Sequence, residues 1–313
     1  MAFSGKFNHE IVLIFILVFL EKRMQFVHKS SWLVFGLLLV SNQTYAIDLQ
    51  AGDLVAPPPD LTLVQFSYLS SSYGNKYIDG IKQVGNPKIE VSQFLVRLGR
   101  SFKIADYPAF FYAQTPVGYT HPEGALSSYK GDAGIGDTSM LLAIWPYANR
   151  DTRTYWAVGG YLTVPTGSYD NNRAFNIGGN RYQTALQTAY QIPLLDSLAW
   201  SAAIDALWSG DNNDYLSGHY KRGQSVLYTA QTALSYTINP TYSVAATYFY
   251  TTGGETTINA VNQQDTINLQ RFQLTAMGHY SFGRISIQYG RDLQTDNGFI
   301  EDSRWILRYR KLF

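Results

Sequence analysis

A regular alternation of apolar and polar side chains, clearest between Tyr155 and Tyr190, is the feature that most constrains how this chain folds. In the first half of that stretch the apolar side chains share one parity: Trp156, Val158, Leu162 and Val164. Successive side chains of a strand point to opposite faces. Strands of about ten residues with this pattern therefore fit a membrane barrel with lipid outside and water inside. The same period also suits a soluble β-sandwich or lipocalin-like barrel whose apolar face points inward.

Runs of this kind recur along the rest of the chain. About twelve are present, an even number as in bacterial outer-membrane barrels. They cover residues 61–73, 88–102, 109–121, 137–146, 154–165, 181–192, 198–209, 223–238, 242–252, 268–282, 284–290 and 303–313.

The connections between the runs alternate in length. Short ones, such as 193–197 and 239–241, are followed by long polar ones, such as 166–180 and 253–267. Outer-membrane barrels combine short periplasmic turns with long extracellular loops, whereas a sandwich has no reason to alternate. The sequence therefore predicts an all-β fold, a transmembrane antiparallel β-barrel of about twelve strands with short periplasmic turns and long extracellular loops.

The N-terminal region has the parts of a secretory signal. Met24 is a plausible start, Lys29 supplies positive charge, residues 32–40 are apolar, and Ala46 ends a small-x-small cleavage site. We predict that residues 1–23 are an upstream extension from a misassigned start and that 24–46 are the signal peptide. The alternative is a longer leader that includes both apolar runs. Residues 47–60 are a proline-rich lead-in without strand, in the periplasm or in the barrel mouth, and 61–313 form the outer-membrane barrel.

Composition limits the functions that remain. The net charge of +1 comes from dispersed basic residues and predicts no nucleic-acid partner. Zero cysteines exclude a disulfide framework and thiolate metal sites. His121 and His219 show no metal-ligand spacing, so we expect neither a metal nor a cofactor. Aromatic residues make up 15% of the chain, which suits the aromatic girdles of a membrane barrel.

The last strand predicts the compartment. Four of its apolar side chains share one parity, which Lys311 interrupts: Trp305, Leu307, Tyr309 and the terminal Phe313. This pattern resembles the C-terminal signal read by the outer-membrane barrel assembly machinery. We therefore expect a bacterial outer-membrane location, with membrane lipid around the barrel and the assembly machinery as a partner through Phe313.

Four segments form a characteristic set: the lead-in Ala51-Gly-Asp-Leu-Val-Ala-Pro-Pro-Pro59, Gly134-Ile-Gly-Asp137, Val164-Pro-Thr-Gly-Ser-Tyr-Asp170 and Asn176-Ile-Gly-Gly-Asn-Arg-Tyr182. Together they resemble the MetA-pathway of phenol degradation family of outer-membrane proteins. The resemblance implies a barrel that passes small, often aromatic, compounds, and it supplies no catalytic motif. Gly134 and Gly136 lack the third glycine and the lysine of a phosphate loop, so a tight turn is the better interpretation.

The inward-facing side chains are the candidate solute-binding residues. Parity predicts a lumen rich in arginine and glutamine, and we select Arg97, Gln114, Arg181, Gln187, Arg271, Arg304, Arg308 and Arg310. Guanidinium groups in a pore attract anions and bind carboxylates. The alternative is that these arginines pair with acidic loop residues folded inward: Asp211, Asp214, Asp265, Asp292, Glu301 or Asp302.

Three functional classes follow from these residues. A channel for diffusion or uptake of small organic molecules, aromatic or anionic, fits the polar lumen. An outer-membrane lipolytic enzyme is an alternative because His279 and Ser281 are two residues apart, but no further triad partner is visible. A structural barrel with a plugged lumen is the third class. We expect a channel rather than an enzyme.

Overall fold

The computed structural model describes residues 48–313. No helix in that range is long and apolar enough to cross a bilayer. The described part of the chain forms eighteen strands: β1 Thr62–Ile78, β2 Ile81–Lys82, β3 Pro87–Ile104, β4 Tyr107–Gly124, β5 Asp132–Ile135, β6 Thr138–Asn149, β7 Thr154–Val164, β8 Gln183–Pro193, β9 Leu198–Ser209, β10 Asn212–Tyr215, β11 Tyr220–Gln224, β12 Leu227–Thr237, β13 Tyr242–Gly253, β14 Thr256–Ile258, β15 Val261–Asn262, β16 Ile267–Tyr280, β17 Gly283–Thr295 and β18 Gly298–Leu312.

Twelve of these strands close into an antiparallel barrel. Their order is β1, β3, β4, β6, β7, β8, β9, β12, β13, β16, β17 and β18, and β18 pairs back onto β1. Closure satisfies the backbone groups of every wall strand, which is what a lipid environment demands. The short strands β2 and β5 extend the same sheet beside β1 and β4. The predicted fold class and strand number are confirmed.

The two ends of the barrel differ, as the connection lengths predicted. At one end, here called the short-turn end, adjacent strands are joined by a few residues, as at 150–153 and 238–241. At the opposite end, here called the long-loop end, two long connections contain paired strands. There β10, β11, β14 and β15 form a four-stranded sheet that the sequence did not predict. Pairing between these loops gives their backbone groups partners, although their side chains are polar and lack a clear period.

The two faces of the wall reverse the arrangement of a soluble protein. Leu274 and Trp305 on the outer face are 51% and 50% exposed, whereas Gln288 and Arg304 on the inner face are 2% and 1% exposed. Water-soluble barrels bury the apolar face instead, because the hydrophobic effect drives it away from water. An apolar exterior around a polar interior fits a wall that contacts lipid.

The lead-in, residues 48–60, forms no strand and lies inside the barrel. Leu54 is 2% exposed and packs in a cluster with lumenal residues such as Tyr112 and Trp145. The indole Nε1 of Trp145 donates to the carbonyl oxygen of Leu54 at 2.8 Å. Near the short-turn end, Ser101 Oγ donates to the carbonyl oxygen of Pro58. The lead-in therefore occupies the centre of the lumen and leaves it at the short-turn end.

Candidate functional site

A row of polar side chains crosses the seam where the last strand meets the first. Direct strand neighbours in this row are Arg284 of β17, Arg310 of β18, Gln65 of β1, Arg97 of β3 and Gln114 of β4. Side chains at directly opposed positions lie about 5 Å apart at the Cβ atoms, so the row is continuous. Strand register therefore brings Arg97 within one neighbour of the last strand.

Asp53 of the lead-in lies over this row. Its Oδ1 accepts from Arg310 Nη1 at 2.7 Å and from Arg284 Nη2 at 3.4 Å. Burial raises the pKa of the Asp53 carboxyl, but the charges of Arg310, Arg284, Arg308 and Arg97 outweigh burial and hold that pKa at about 2. We call Asp53 and these four arginines the Asp53 cluster. At neutral pH the Asp53 carboxyl, the single lead-in carboxyl of this cluster, is fully ionised.

The other two arginines of the Asp53 cluster have neutral hydrogen-bond partners. Arg97 Nε donates to Gln114 Oε1 at 2.8 Å, and its guanidinium carbon lies 4.0 Å from the ring centroid of Tyr112. Arg308 Nε donates to Ser67 Oγ at 3.4 Å. Within residues 48–313, neither arginine forms an ion pair with a carboxylate. The cluster therefore holds more positive than negative charge among the described residues.

A second arginine pair lies nearer the long-loop end, where Asp48 of the lead-in sits between Arg271 and Arg304. Asp48 Oδ2 is 2.6 Å from Arg271 Nη2 and 3.6 Å from Arg304 Nη1. Arg304 also pairs with Glu301 at 2.8 Å, and both side chains are buried. Arg271 lies over the ring of Phe249, with 4.1 Å from its guanidinium carbon to the ring centroid. Here the carboxylates balance the arginines.

Glutamine side chains join the lead-in to the wall between the two arginine groups. Gln50 Oε1 accepts from Gln273 Nε2 at 3.1 Å and also from Gln288. On the opposite wall, Gln187 Oε1 accepts from the hydroxyl of Tyr161 at 3.1 Å, and Gln187 Nε2 donates to Asp205 at 3.4 Å. Buried polar groups need partners, so the contacts of Gln50 favour the docked lead-in.

Arg181 lies elsewhere. It was predicted at the start of a wall strand, but β8 begins at Gln183, so Arg181 belongs to the preceding loop. Arg181 Nη2 donates to Gln224 Oε1 at 2.7 Å. Burial, together with the charge of Arg222, lowers the pKa of this guanidinium to about 9, so it stays protonated at neutral pH. Arg181 is therefore at the long-loop entrance and not with the other candidates.

The acidic partners differ in part from those expected. Glu301 pairs with a lumenal arginine as anticipated, and Asp292 Oδ2 accepts from the backbone N–H of Glu301 at 2.7 Å. Three other expected partners bind residues of the long loops instead: Asp211 pairs with Lys221, Asp214 with His219, and Asp265 accepts from Thr256. Sequence reasoning missed Asp48 and Asp53 as partners. The only available signal was two carboxylates in a short segment that precedes a barrel rich in inward arginines.

Among the described residues, two of the cavities around the lead-in adjoin the Asp53 cluster. A vestibule of about 780 Å³ opens at the short-turn end, and Arg284 and Arg310 contribute to its wall. His279 and Ser281 also face this vestibule, and no hydrogen bond joins their side chains among the described residues. A smaller cavity of about 70 Å³ lies deeper, beside Asp53. Aromatic side chains form much of its wall: Phe110, Tyr112, Trp145 and Tyr161.

The glycine-rich motifs meet at the long-loop end. Asp137 Oδ1 accepts from the backbone N–H of Gly167 at 2.9 Å, and its Oδ2 accepts from that of Gly179 at 2.8 Å. The backbones of Gly167 and Gly178 approach so closely that a Cβ on either would lie 2.8 Å from the other's backbone. These contacts therefore hold the loop of residues 165–182 against Asp137.

The sequence model of the family described as "Putative MetA-pathway of phenol degradation" matches residues 79–308, more than half of the chain. The chain belongs to this family. The resemblance inferred from its motifs is thereby confirmed.

Solved structures agree with the family assignment. The COG4313 outer membrane channel from Pseudomonas putida F1 matches with a TM-score of 0.82 and 30% identity, over 85% of this chain and 100% of that chain. The beta domain of the Bordetella autotransporter BrkA matches with a TM-score of 0.50 and 9% identity, over 81% and 100% of the two chains. The second likeness shows the fold alone. No curated protein sequence matches this chain. This member of the MetA-pathway family is located in the bacterial outer membrane.

Proposed function

We propose that this protein is an outer-membrane channel for the diffusion or uptake of small organic molecules, aromatic or anionic. The observation that carries the proposal is the chemistry of the lumen, where arginine, glutamine and aromatic side chains surround a vestibule of about 780 Å³ and a deeper cavity. Aromatic walls bind apolar rings, and guanidinium groups bind carboxylates. Its relative from Pseudomonas putida, at 30% identity, is an outer membrane channel, which supports the same role here.

The candidate residues divide between the two groups along the proposed path. The lumen nearer the short-turn end, around Asp53, is lined by Arg97, Arg308, Arg310 and Gln114. The lumen nearer the long-loop end, around Asp48, is lined by Arg271 and Arg304. On this proposal a solute from outside passes Arg181 at the entrance, then Gln187 on the opposite wall. The lead-in must shift for the two cavities to join, so it controls passage.

Conductance tests the proposal directly. Purified protein reconstituted in a planar bilayer should give discrete current steps, and its reversal potential in a salt gradient should show anion selectivity. Selectivity should weaken as salt rises, because screening shortens the range of the lumenal charges. An Arg304→Gln/Arg308→Gln variant should be less anion-selective than the wild type. Absence of current, together with absence of benzoate and phenol flux into liposomes, would refute the channel.

A structural barrel with a plugged lumen is the second candidate, and the position of the lead-in favours it. If the lead-in is a permanent plug, neither current nor solute flux should be seen, yet the protein should remain folded in the membrane. The third class, a lipolytic enzyme, would need His279 to activate Ser281. Release of fatty acid from phospholipid vesicles by wild type, and not by Ser281→Ala, is the result that would favour lipolysis.

A further inference from the structure

We propose that the Asp53 cluster is a binding site for aromatic monocarboxylates. The ligand's carboxylate takes the place of the Asp53 carboxylate, and its ring enters the adjoining aromatic cavity. The inference rests on the proposed function, since it names the class of solute that the channel would bind. The bound solute would break the contact between Asp53 and its arginines.

Charge within the cluster is the first support. Arg310 and Arg284 share the Asp53 carboxylate, while Arg97 and Arg308 donate to an amide oxygen and a hydroxyl. Four guanidinium groups thus surround one lead-in carboxylate. Unbalanced charge in a partly dehydrated lumen is costly, and a mobile anion would lower that cost. Arg310 Nε has no hydrogen-bond partner among the described residues, which leaves a spare donor at this position.

Geometry already shows how a carboxylate fits. The side chain of Asp53 is a small carboxylate whose Oδ1 accepts two guanidinium hydrogen bonds, at 2.7 and 3.4 Å. Those are the contacts that an organic carboxylate makes with arginine. Asp53 is therefore an internal occupant of a site suited to such a ligand. An external carboxylate can compete because both would use the same donors.

The aromatic cavity selects the rest of the ligand. Asp53, Arg97 and Arg310 line the same cavity as the rings of Phe110 and Tyr112. Its volume of about 70 Å³ is smaller than the roughly 150 Å³ cavity that binds benzene in an engineered protein. A ring can enter only if the lead-in moves aside and vacates space. Binding of an aromatic carboxylate is therefore coupled to release of the lead-in, whereas a neutral phenol cannot compete for the arginines.

Calorimetric titration in detergent tests the exchange, with benzoate, acetate and phenol as probes. Asp53→Asn removes the internal competitor with little change in shape, and it should bind benzoate up to roughly 30-fold more tightly than wild type. In both proteins phenol should bind much more weakly than benzoate, because it has no carboxylate for the arginines, and acetate should gain less than benzoate. Adding Arg310→Gln to Asp53→Asn should remove the gain. Asp106→Asn is the matched control, because it makes the same substitution in an exposed short turn. It should leave benzoate affinity unchanged.

A second measurement leaves Asp53 intact. Because the chain contains no cysteine, Ala51→Cys provides a single thiol on the buried lead-in. Benzoate should accelerate labelling of that thiol, and phenol at the same concentration should not. Equal benzoate affinity in wild type and Asp53→Asn, phenol binding as tight as benzoate binding in Asp53→Asn, or a gain that survives Arg310→Gln would overturn the inference. If any of these results is found while solutes still pass through the protein into liposomes, the channel proposal stands and only the proposed carboxylate site is wrong.

Discussion

Removing the charge of Asp53 should release the lead-in from the lumen. Two ionic contacts hold the segment inside the lumen, one at Asp53 against Arg310 and Arg284 and one at Asp48 against Arg271 and Arg304. Asp53→Asn abolishes the first contact while preserving side-chain size. The second contact and the buried Leu54 remain, so the change weakens docking without removing the whole interface.

The size of the effect follows from the pKa of Asp53. Its arginine neighbours lower that pKa from the ordinary 3.8 to about 2. A difference of one pKa unit is equivalent to 1.36 kcal/mol, so ionisation of Asp53 favours the docked state by about 2 kcal/mol. Because the docked pKa is the lower one, this contribution is fully present above pH 3.8 and is lost as pH falls through about 2. At neutral pH, Asp53→Asn should therefore raise the population of released lead-in roughly 30-fold.

Thiol labelling measures that population. Ala51→Cys places the only thiol of the chain on the buried lead-in. When opening and closing are fast, the labelling rate is proportional to the released fraction. The labelling rate of Asp53→Asn/Ala51→Cys should be roughly 30-fold higher than that of Ala51→Cys alone. Asp106→Asn should leave the rate unchanged.

Acid provides an independent check on the same reasoning. After allowance for the pH dependence of the thiol reaction, labelling of Ala51→Cys should rise only below about pH 4, and Asp53→Asn should lose most of that rise. An unchanged neutral-pH labelling rate in Asp53→Asn would refute the argument. It would mean that packing of the lead-in, and not its ion pair, controls docking.

Further predictions concern the wall, the loops and assembly. Leu274→Arg, on the lipid face, should lower the free energy of unfolding in urea by about 2–4 kcal/mol, whereas Ser243→Arg, facing the vestibule, should cost far less. Equal losses would show that the wall is not embedded in lipid. Asp137→Ala should cost about 3 kcal/mol in the same titration, because it leaves two loop N–H groups without their charged acceptor. Deleting Phe313 should lower the amount of heat-modifiable barrel in the outer membrane without lowering synthesis, and normal assembly would contradict a role for this residue as an assembly signal.

Several features of the fold could be predicted from the sequence, because they depend on local periodicity. Side-chain parity assigned Trp305 to the outer face and Arg304 to the lumen, and the structure shows the first exposed and the second buried. Alternating connection lengths assigned the two ends of the barrel, although the long connection predicted at 291–302 is only a two-residue turn, 296–297, between β17 and β18. The number of strands follows from the number of alternating runs. Closure follows because each wall strand needs two neighbours in lipid.

The contents of the lumen were decided only by tertiary structure. The lead-in carries no periodic signal, and proline at 57–59 indicated only the absence of a strand. Asp48 bonds Arg271 across 223 positions of the sequence, and Asp53 bonds Arg310 across 257. Contacts of that separation depend on barrel closure, which brings the first and last strands together around one lumen. Local periodicity therefore determined the wall of this outer-membrane protein, and barrel closure decided which carboxylates neutralise its arginines.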